Sequence, residues 1–244
     1  MLELKYINAK RGAFSLELDS VKFNKGTINL LLGPNGSGKT TLFKSLLGVI
    51  DSKINVSIDG SEFKPRDFKS MARLIGYLPQ TVHSGEFLVK DLLIQGRFPY
   101  TGFFSQYSIN DWERVYLIAQ HFGLSSYLDR DLSTLSQGEF QRVMLAKVFV
   151  QEARILLLDE PTTSLDIGFK HLVKEYIVSY MKLKPESIIL ISSHEPEVFL
   201  DHVKDVLMLK QGRVFVKGDV KSAYTDKNLK ELFDISGFSL TKNI

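Results

Sequence analysis

Residues Thr27 to Leu42 read TINLLLGPNGSGKTTL, and the fold is decided there. The apolar run Ile28 to Leu32 lacks alternation and has the length of a strand buried on both faces. Gly33 to Thr40, GPNGSGKT, then fits the phosphate-loop spacing G-x-x-x-x-G-K-[ST] at every fixed position. The spacing has a chemical reason. A triphosphate is a dense anion, and a tight Gly-rich turn aims several backbone N–H groups at it with no side chains in the way. The candidate nucleotide site is therefore Gly33, Pro34, Asn35, Gly36, Ser37, Gly38, Lys39 and Thr40, with Thr41 behind them. Lys39 is expected to reach the β- and γ-phosphates as a point charge, and the Thr40 hydroxyl to ligate Mg²⁺. The helical run Thr41 to Leu47 adds its positive N-terminal end.

A phosphate loop needs an acidic partner for the metal and the water. Arg154 to Asp159, RILLLD, followed by Glu160, supplies it. Asp159 ends a buried strand, where an open α/β sheet places its ligand site, and would hold Mg²⁺ through water. Glu160 is placed to take a proton from the attacking water, or to orient it. Ser187 to Ser192, SIILIS, is a second continuous apolar run, and Gly168 to Lys182 is the helix between the two.

The flanks read differently. Residues 2–7 and 14–18 alternate, as half-exposed antiparallel strands do. Asn55 to Ile58 runs into the tight turn Asp59-Gly60, and Leu74 to Leu78 is a short buried strand. Val206 to Leu209 and Arg213 to Val216, joined by Lys210-Gln211-Gly212, predict a hairpin. From about Thr81 to Lys147 the apolar spacing is helical: Asn110 and Glu113 resemble a capping box, Val115, Ile118, Ala119 and Phe122 line one face, and Trp112 reads as a packing residue. The expected class is α/β, a P-loop NTPase (RecA-like) core with an N-terminal antiparallel β subdomain and an inserted α-helical subdomain. Residues 1–79 and 148–219 would form the α/β core with its β subdomain, 80–147 the helical insert, and 220–244 a short helical tail, all within one domain spanning 1–244.

Composition narrows the partners. No run approaches the roughly 18 apolar residues that span a bilayer, and the N-terminus lacks the apolar core of a signal peptide. The chain is expected to stay on the cytoplasmic side, and any link to the membrane must come through a partner. Without cysteine there is no disulfide or thiolate metal site. A net charge of +3 is too small to argue for nucleic acid.

Upstream of Asp159 lies Leu135 to Glu139, LSQGE. Here the sequence resembles the ABC-transporter ATPase family over essentially the whole chain. The family's usual LSGGQ is matched at Leu135, Ser136 and Gly138, with Gln137 and Glu139 substituted. Gln80 resembles the Q-loop glutamine, a metal ligand and catalytic residue; Ser164-Leu165-Asp166 the D-loop; and His194 the switch histidine. Ser164-Leu165-Asp166 could equally cap the helix that follows. The resemblance implies that Ser136, Gln137, Gly138, Glu139 and Asp166 face the nucleotide of a second copy, so that two ATP molecules lie between two chains. Direct hydrogen bonds to the γ-phosphate must hold that dimer, because a helix dipole contributes only about 0.3–1 kcal/mol. It also implies an aromatic stacked on adenine. Lys10-Arg11 occupy the position where it is sought, and Phe14 is the nearest candidate, with Tyr6 behind it.

Lys90 to Phe104, KDLLIQGRFPYTGFF, resembles a segment of the ATPases that serve importers of iron–siderophore complexes, haem and cobalamin. What this implies is a homodimer docked on two transmembrane permease subunits, with a separate substrate-binding protein. Phe98, Tyr100, Phe103 and Phe104 would meet the permease or fill the insert's core; Arg97 would contact a partner or pair within the domain. The competing readings are a soluble ABC ATPase acting on DNA or ribosomes and a scaffold subunit for iron–sulfur assembly. A single phosphate loop, a short span between Gln80 and Leu135, and no basic patch disfavour the first of these.

Overall fold

The computed structural model describes residues 1–63, 68–80, 87–101, 106–163 and 165–235. In chain order its elements are β1 (Leu2–Arg11), β2 (Phe14–Phe23), β3 (Thr27–Leu32), α1 (Lys39–Leu46), β4 (Ser52–Ile58), β5 (Ser61–Phe63), α2 (Phe68–Leu74), β6 (Ile75–Leu78) and α3 (Val89–Ile94). There follow α4 (Ile109–His121), α5 (Gln137–Val150), β7 (Ile155–Asp159), α6 (Ile167–Leu183), β8 (Ile188–Ser192), β9 (Val203–Lys210), β10 (Arg213–Asp219), α7 (Val220–Ala223) and α8 (Asp226–Phe233). The chain divides into two compact units, residues 1–65 with 188–244, and residues 66–187.

In the first unit the strands lie in the order β5-β4-β1-β2-β10-β9-β3-β8. The alternating N-terminal stretches form the antiparallel pair β1–β2, from Leu2 opposite Phe23 to Arg11 opposite Phe14. The continuous apolar strand β3 runs parallel to both β8 and β9. One polar side chain interrupts it: Asn29 is buried, and its amide donates to the Ile189 carbonyl at 3.2 Å. Both expected hairpin turns form with positive φ at their two central residues, Asp59 (53°) with Gly60 (80°) and Gln211 (48°) with Gly212 (76°). That geometry matches the right-handed twist of the strands it joins.

In the second unit β6 and β7 pair in parallel, Ile75 with Ile155 through Leu78 with Leu158, and every residue of β7 is buried. Helices surround them, as the spacing of Thr81 to Lys147 predicts. Val115, Ile118, Ala119 and Phe122 are all buried. Trp112 stacks on Tyr116 at 6.1 Å, a packing role. The capping box lies one turn-start earlier than expected. Ser108, not Asn110, caps α4, and its partner is Asp111, not Glu113. Asp111 accepts from both the backbone N–H and the hydroxyl of Ser108, at 2.9 and 2.7 Å, while Asn110 and Glu113 face solvent. The seven-residue helix α2 has no counterpart in the sequence reading; it buries only Met71, too little periodicity to detect.

Candidate nucleotide site

The phosphate loop leaves β3 and enters α1 through Gly38, whose φ of 110° makes it a helix cap with no side chain to offer. The first turn of α1 therefore has no side-chain cap, and a helix start of this kind suits an anion. Close packing explains the glycines at the loop's two ends. A Cβ on Gly33 would fall 2.3 Å from the Leu209 carbonyl, and one on Gly38 would fall 2.7 Å from Leu16 Cδ1 and 3.1 Å from Phe14 Cζ. Lys39 is only 7% exposed, and its ammonium donates to the carbonyls of Gly33 (2.7 Å) and Pro34 (3.4 Å). The loop therefore curls around a buried cation. The Ser37 hydroxyl is buried with no protein partner, the kind of group a phosphate oxygen satisfies.

Register brings His194 to the same place. Leu31 of β3 is paired with Ser192 of β8, so Gly33 and His194 emerge from neighbouring strands at one end of the sheet. Phe14 is half-buried, and its ring edge lies against Gly38. Tyr6 lies midway along β1, opposite Asp19. Sequence reasoning missed the support beneath the loop: Gly212 N–H donates to the Ser37 carbonyl at 3.1 Å, and the Gly212 carbonyl accepts from Glu17 N–H at 2.7 Å. A turn glycine so far along the chain has no local signal of that duty.

The second unit carries the acidic pair. Leu78 pairs with Leu158, so Gln80 and the pair Asp159-Glu160 leave β6 and β7 at the same end. Asp159 is 1% exposed and accepts a hydrogen bond from the Tyr77 hydroxyl at 3.4 Å. Burial, then the Asp159 charge, push the Tyr77 phenol far above its ordinary range, so it stays a donor. Glu160 is buried in the left-handed region at φ 56°, an uncommon and strained conformation for a non-glycine residue. Its Oε2 accepts from the Thr163 hydroxyl at 3.2 Å. Gln80 is exposed, immediately before residues outside the described set.

Ser136 caps α5 through a reciprocal box with Glu139: the Ser136 N–H and hydroxyl each donate to Glu139 Oε2 at 2.8 Å, and Glu139 N–H returns to Ser136 Oγ at 3.3 Å. The Ser136 backbone N–H, then its hydroxyl, hold the Glu139 carboxyl below the ordinary range. Glu139 thus has a structural reason to replace the usual glutamine, and Gln137 starts the helix regularly without a glycine. Gly138 lies over the Phe169 ring, with a Cβ there meeting ordinary contact at 3.5 Å. Asp166 caps α6, accepting Phe169 N–H at 2.9 Å; Ser164 lies outside the described residues. Arg97, one of two open alternatives in the sequence, turns inward. It is 8% exposed, pairs with Asp111 at 3.0 Å and Glu152 at 2.9 Å, and stacks under Tyr100 at 4.1 Å. Phe98 and Tyr100 remain partly exposed, while Phe103 and Phe104 lie outside the described residues.

The donor set suits Mg²⁺. Among the described residues no three His, Cys, Asp or Glu converge, and Mg²⁺ is bound through one or two carboxylates together with phosphates and water. A hydroxyl, a carboxylate and an amide oxygen fit that chemistry.

The model of the ABC transporter family matches residues 16–163. The chain belongs to the ABC transporter family. Over 239 residues it is 32% identical to a probable iron chelatin transport ATP-binding protein of Helicobacter pylori, covering 96% of this chain and 93% of the relative. It is 29% identical to the ferric enterobactin transport ATP-binding protein of Escherichia coli, covering 88% and 80%. Its fold matches a solved ATP-binding cassette, dimeric in a post-hydrolysis state with ADP and Pi, at TM-score 0.76 and 21% identity, covering 90% and 99%. As an ABC transporter ATP-binding subunit the chain is an ATPase, and no helix among its described residues is long and apolar enough to cross a membrane.

Proposed function

We propose that this ATPase drives an importer of chelated iron, and that the motif residues carry the roles their positions suggest. The observation that carries the ATPase mechanism is the phosphate loop closed around a buried Lys39 at an uncapped helix start. Gly33 to Thr41 wrap the phosphates and Phe14 packs the adenine. Thr40 and Gln80 would offer oxygen ligands to Mg²⁺ and Asp159 would hold it through water, and the bound ion would offset phosphate charge. Glu160 accepts the proton of the attacking water; the water oxygen bonds to the γ-phosphorus as the bond to the ADP oxygen breaks. His194 steadies the departing phosphate.

Ser136, Gln137, Gly138, Glu139 and Asp166 complete the site of a second copy. Two permease subunits, served by a separate binding protein, hold the pair on the cytoplasmic face of the membrane. Phe98, partly exposed beside Lys69, is the best-placed docking side chain in this reading, whereas Arg97 is committed inside its own unit. The relatives named for iron chelatin and ferric enterobactin support the cargo.

The test is uptake of a radioactive ferric chelate by cells lacking their own copy and expressing this chain. The parent restores uptake and Lys39→Ala does not. Phe98→Asp abolishes uptake while sparing ATP hydrolysis by the isolated chain. Undiminished uptake in the deletion strain would refute the cargo.

A further inference from the structure

His194 sits on the turn that leaves β8. After β8, the Ser193 hydroxyl accepts from Glu195 N–H at 3.0 Å, and a single 3₁₀ turn, Pro196–Val198, leads away. Beside it lies a cavity of about 140 Å³ whose walls include Leu32, Ser193, His194, Pro196, Tyr224 and Phe233. Side chains lining a void lack contacts on that side, while Pro196 and Phe199 on the same segment are buried.

A hydrogen bond joins the turn to the C-terminal helices: the Tyr224 hydroxyl donates to Glu197 Oε1 at 2.6 Å. Tyr224 is 7% exposed, and burial followed by the Glu197 charge raises its phenol well above the ordinary range, so the proton stays in place. Tyr224 is itself fastened. Its N–H closes α7 on the Val220 carbonyl at 2.9 Å, and the Asn228 amide donates to the Ala223 carbonyl at 2.8 Å. Lys210 at the end of β9 pairs with Asp234 at 2.7 Å, anchoring the far end of α8.

We propose that Tyr224 is a positioning residue for hydrolysis: through Glu197 it fixes the turn that presents His194 to the γ-phosphate. The inference rests on the role given to His194 above. It makes α7 and α8 part of the ATPase, so a displacement of these helices changes turnover without touching nucleotide.

Steady-state hydrolysis of Mg-ATP by the full chain, with kcat and KM resolved separately, tests it. Tyr224→Phe lowers kcat about fivefold, the rate equivalent of one hydrogen bond, with KM nearly unchanged. Glu197→Ala does the same. Glu197→Gln, whose amide oxygen still accepts the phenol, recovers most of that loss, which a general loss of stability would not explain. In a His194→Ala background Tyr224→Phe adds nothing. A parental kcat in both Tyr224→Phe and Glu197→Ala, alongside a slow His194→Ala, overturns the tether. So does a loss that adds fully to that of His194→Ala, or one that falls on KM alone. A fully active His194→Ala overturns the reading on which the tether rests, whatever Tyr224 does.

Discussion

At the scale of the residue, the loop's last glycine is the sharpest test of the nucleotide site. Gly38 combines φ 110° with a Cβ position 2.7 Å from Leu16. Gly38→Ala adds backbone strain of about 1–3 kcal/mol to a steric clash. Mg-ATP affinity should drop at least about tenfold, since that factor needs only 1.4 kcal/mol, as read by titration with a fluorescent nucleotide. Gly36→Ala faces open space at φ 76°, so only strain opposes it and the loss should be smaller. Binding equal to the parent in Gly38→Ala would mean the loop does not need its observed shape. Glu160→Gln separates binding from chemistry: nucleotide affinity persists while hydrolysis falls by orders of magnitude. Tyr180 makes the opposite prediction. Its hydroxyl is buried without a partner, although the ring stacks on Phe149 at 4.2 Å. Tyr180→Phe deletes a desolvated polar group and keeps the stack, so the melting temperature should hold or rise, by an amount worth up to about 1 kcal/mol.

At the scale of the element, the buried charge cluster fastens the second unit. Arg97 on the 3₁₀ stretch Gln95–Tyr100 meets Asp111 at the start of α4 and Glu152 after α5, and Lys184 after α6 reaches Glu152 at 2.9 Å. Burial raises the Asp111 carboxyl, but hydrogen bonds from Ser108 and Arg97 outweigh it and the net shift is downward. Glu152 behaves alike, with Lys184 the main opposing partner. Carboxyls depressed in the folded state contribute stability that is present above their unfolded pKa of about 4. That contribution is lost as pH falls through the lower folded values. Melting temperature should therefore drop on acidification below about pH 4. Arg97→Met leaves the buried Asp111 without its cation and Glu152 with Lys184 as its main partner, lowers stability at neutral pH by about 3–5 kcal/mol, and flattens the acid limb of the curve. An unchanged acid limb would show that the cluster is not what titrates. None of this was legible in the sequence. The segment around Arg97 reads equally well as a partner contact, because the groups that draw it inward lie 14 and 55 residues on. The cap of α4 was misread for a related reason: Ser108 and Asn110 are both good caps, and Arg97 favours the box containing Asp111.

At the scale of the whole molecule, legibility follows the range of the forces involved. The phosphate loop and β7 with its acidic pair were readable because their chemistry is backbone geometry over a few consecutive residues. Gly212 beneath Ser37, Tyr77 beside Asp159 and Tyr224 on Glu197 were not, since each pairing spans distant parts of the chain with no pattern of its own. The assembly lies beyond any single chain. If Ser136 and Gly138 complete a partner's site, two inactive chains should repair each other. Lys39→Ala ruins a phosphate loop, and Gly138→Asp sets a negative charge where a γ-phosphate would lie, with room for it beside Phe169. Each homodimer is dead at both sites. A mixed dimer gathers both lesions into one site and leaves the other with an intact loop and an intact signature. Equimolar mixing should thus restore up to about a quarter of parental hydrolysis, half the dimers being mixed with one good site of two. A signature acting on its own chain's nucleotide leaves every site in the mixture defective, and activity would stay at the sum of the separate variants.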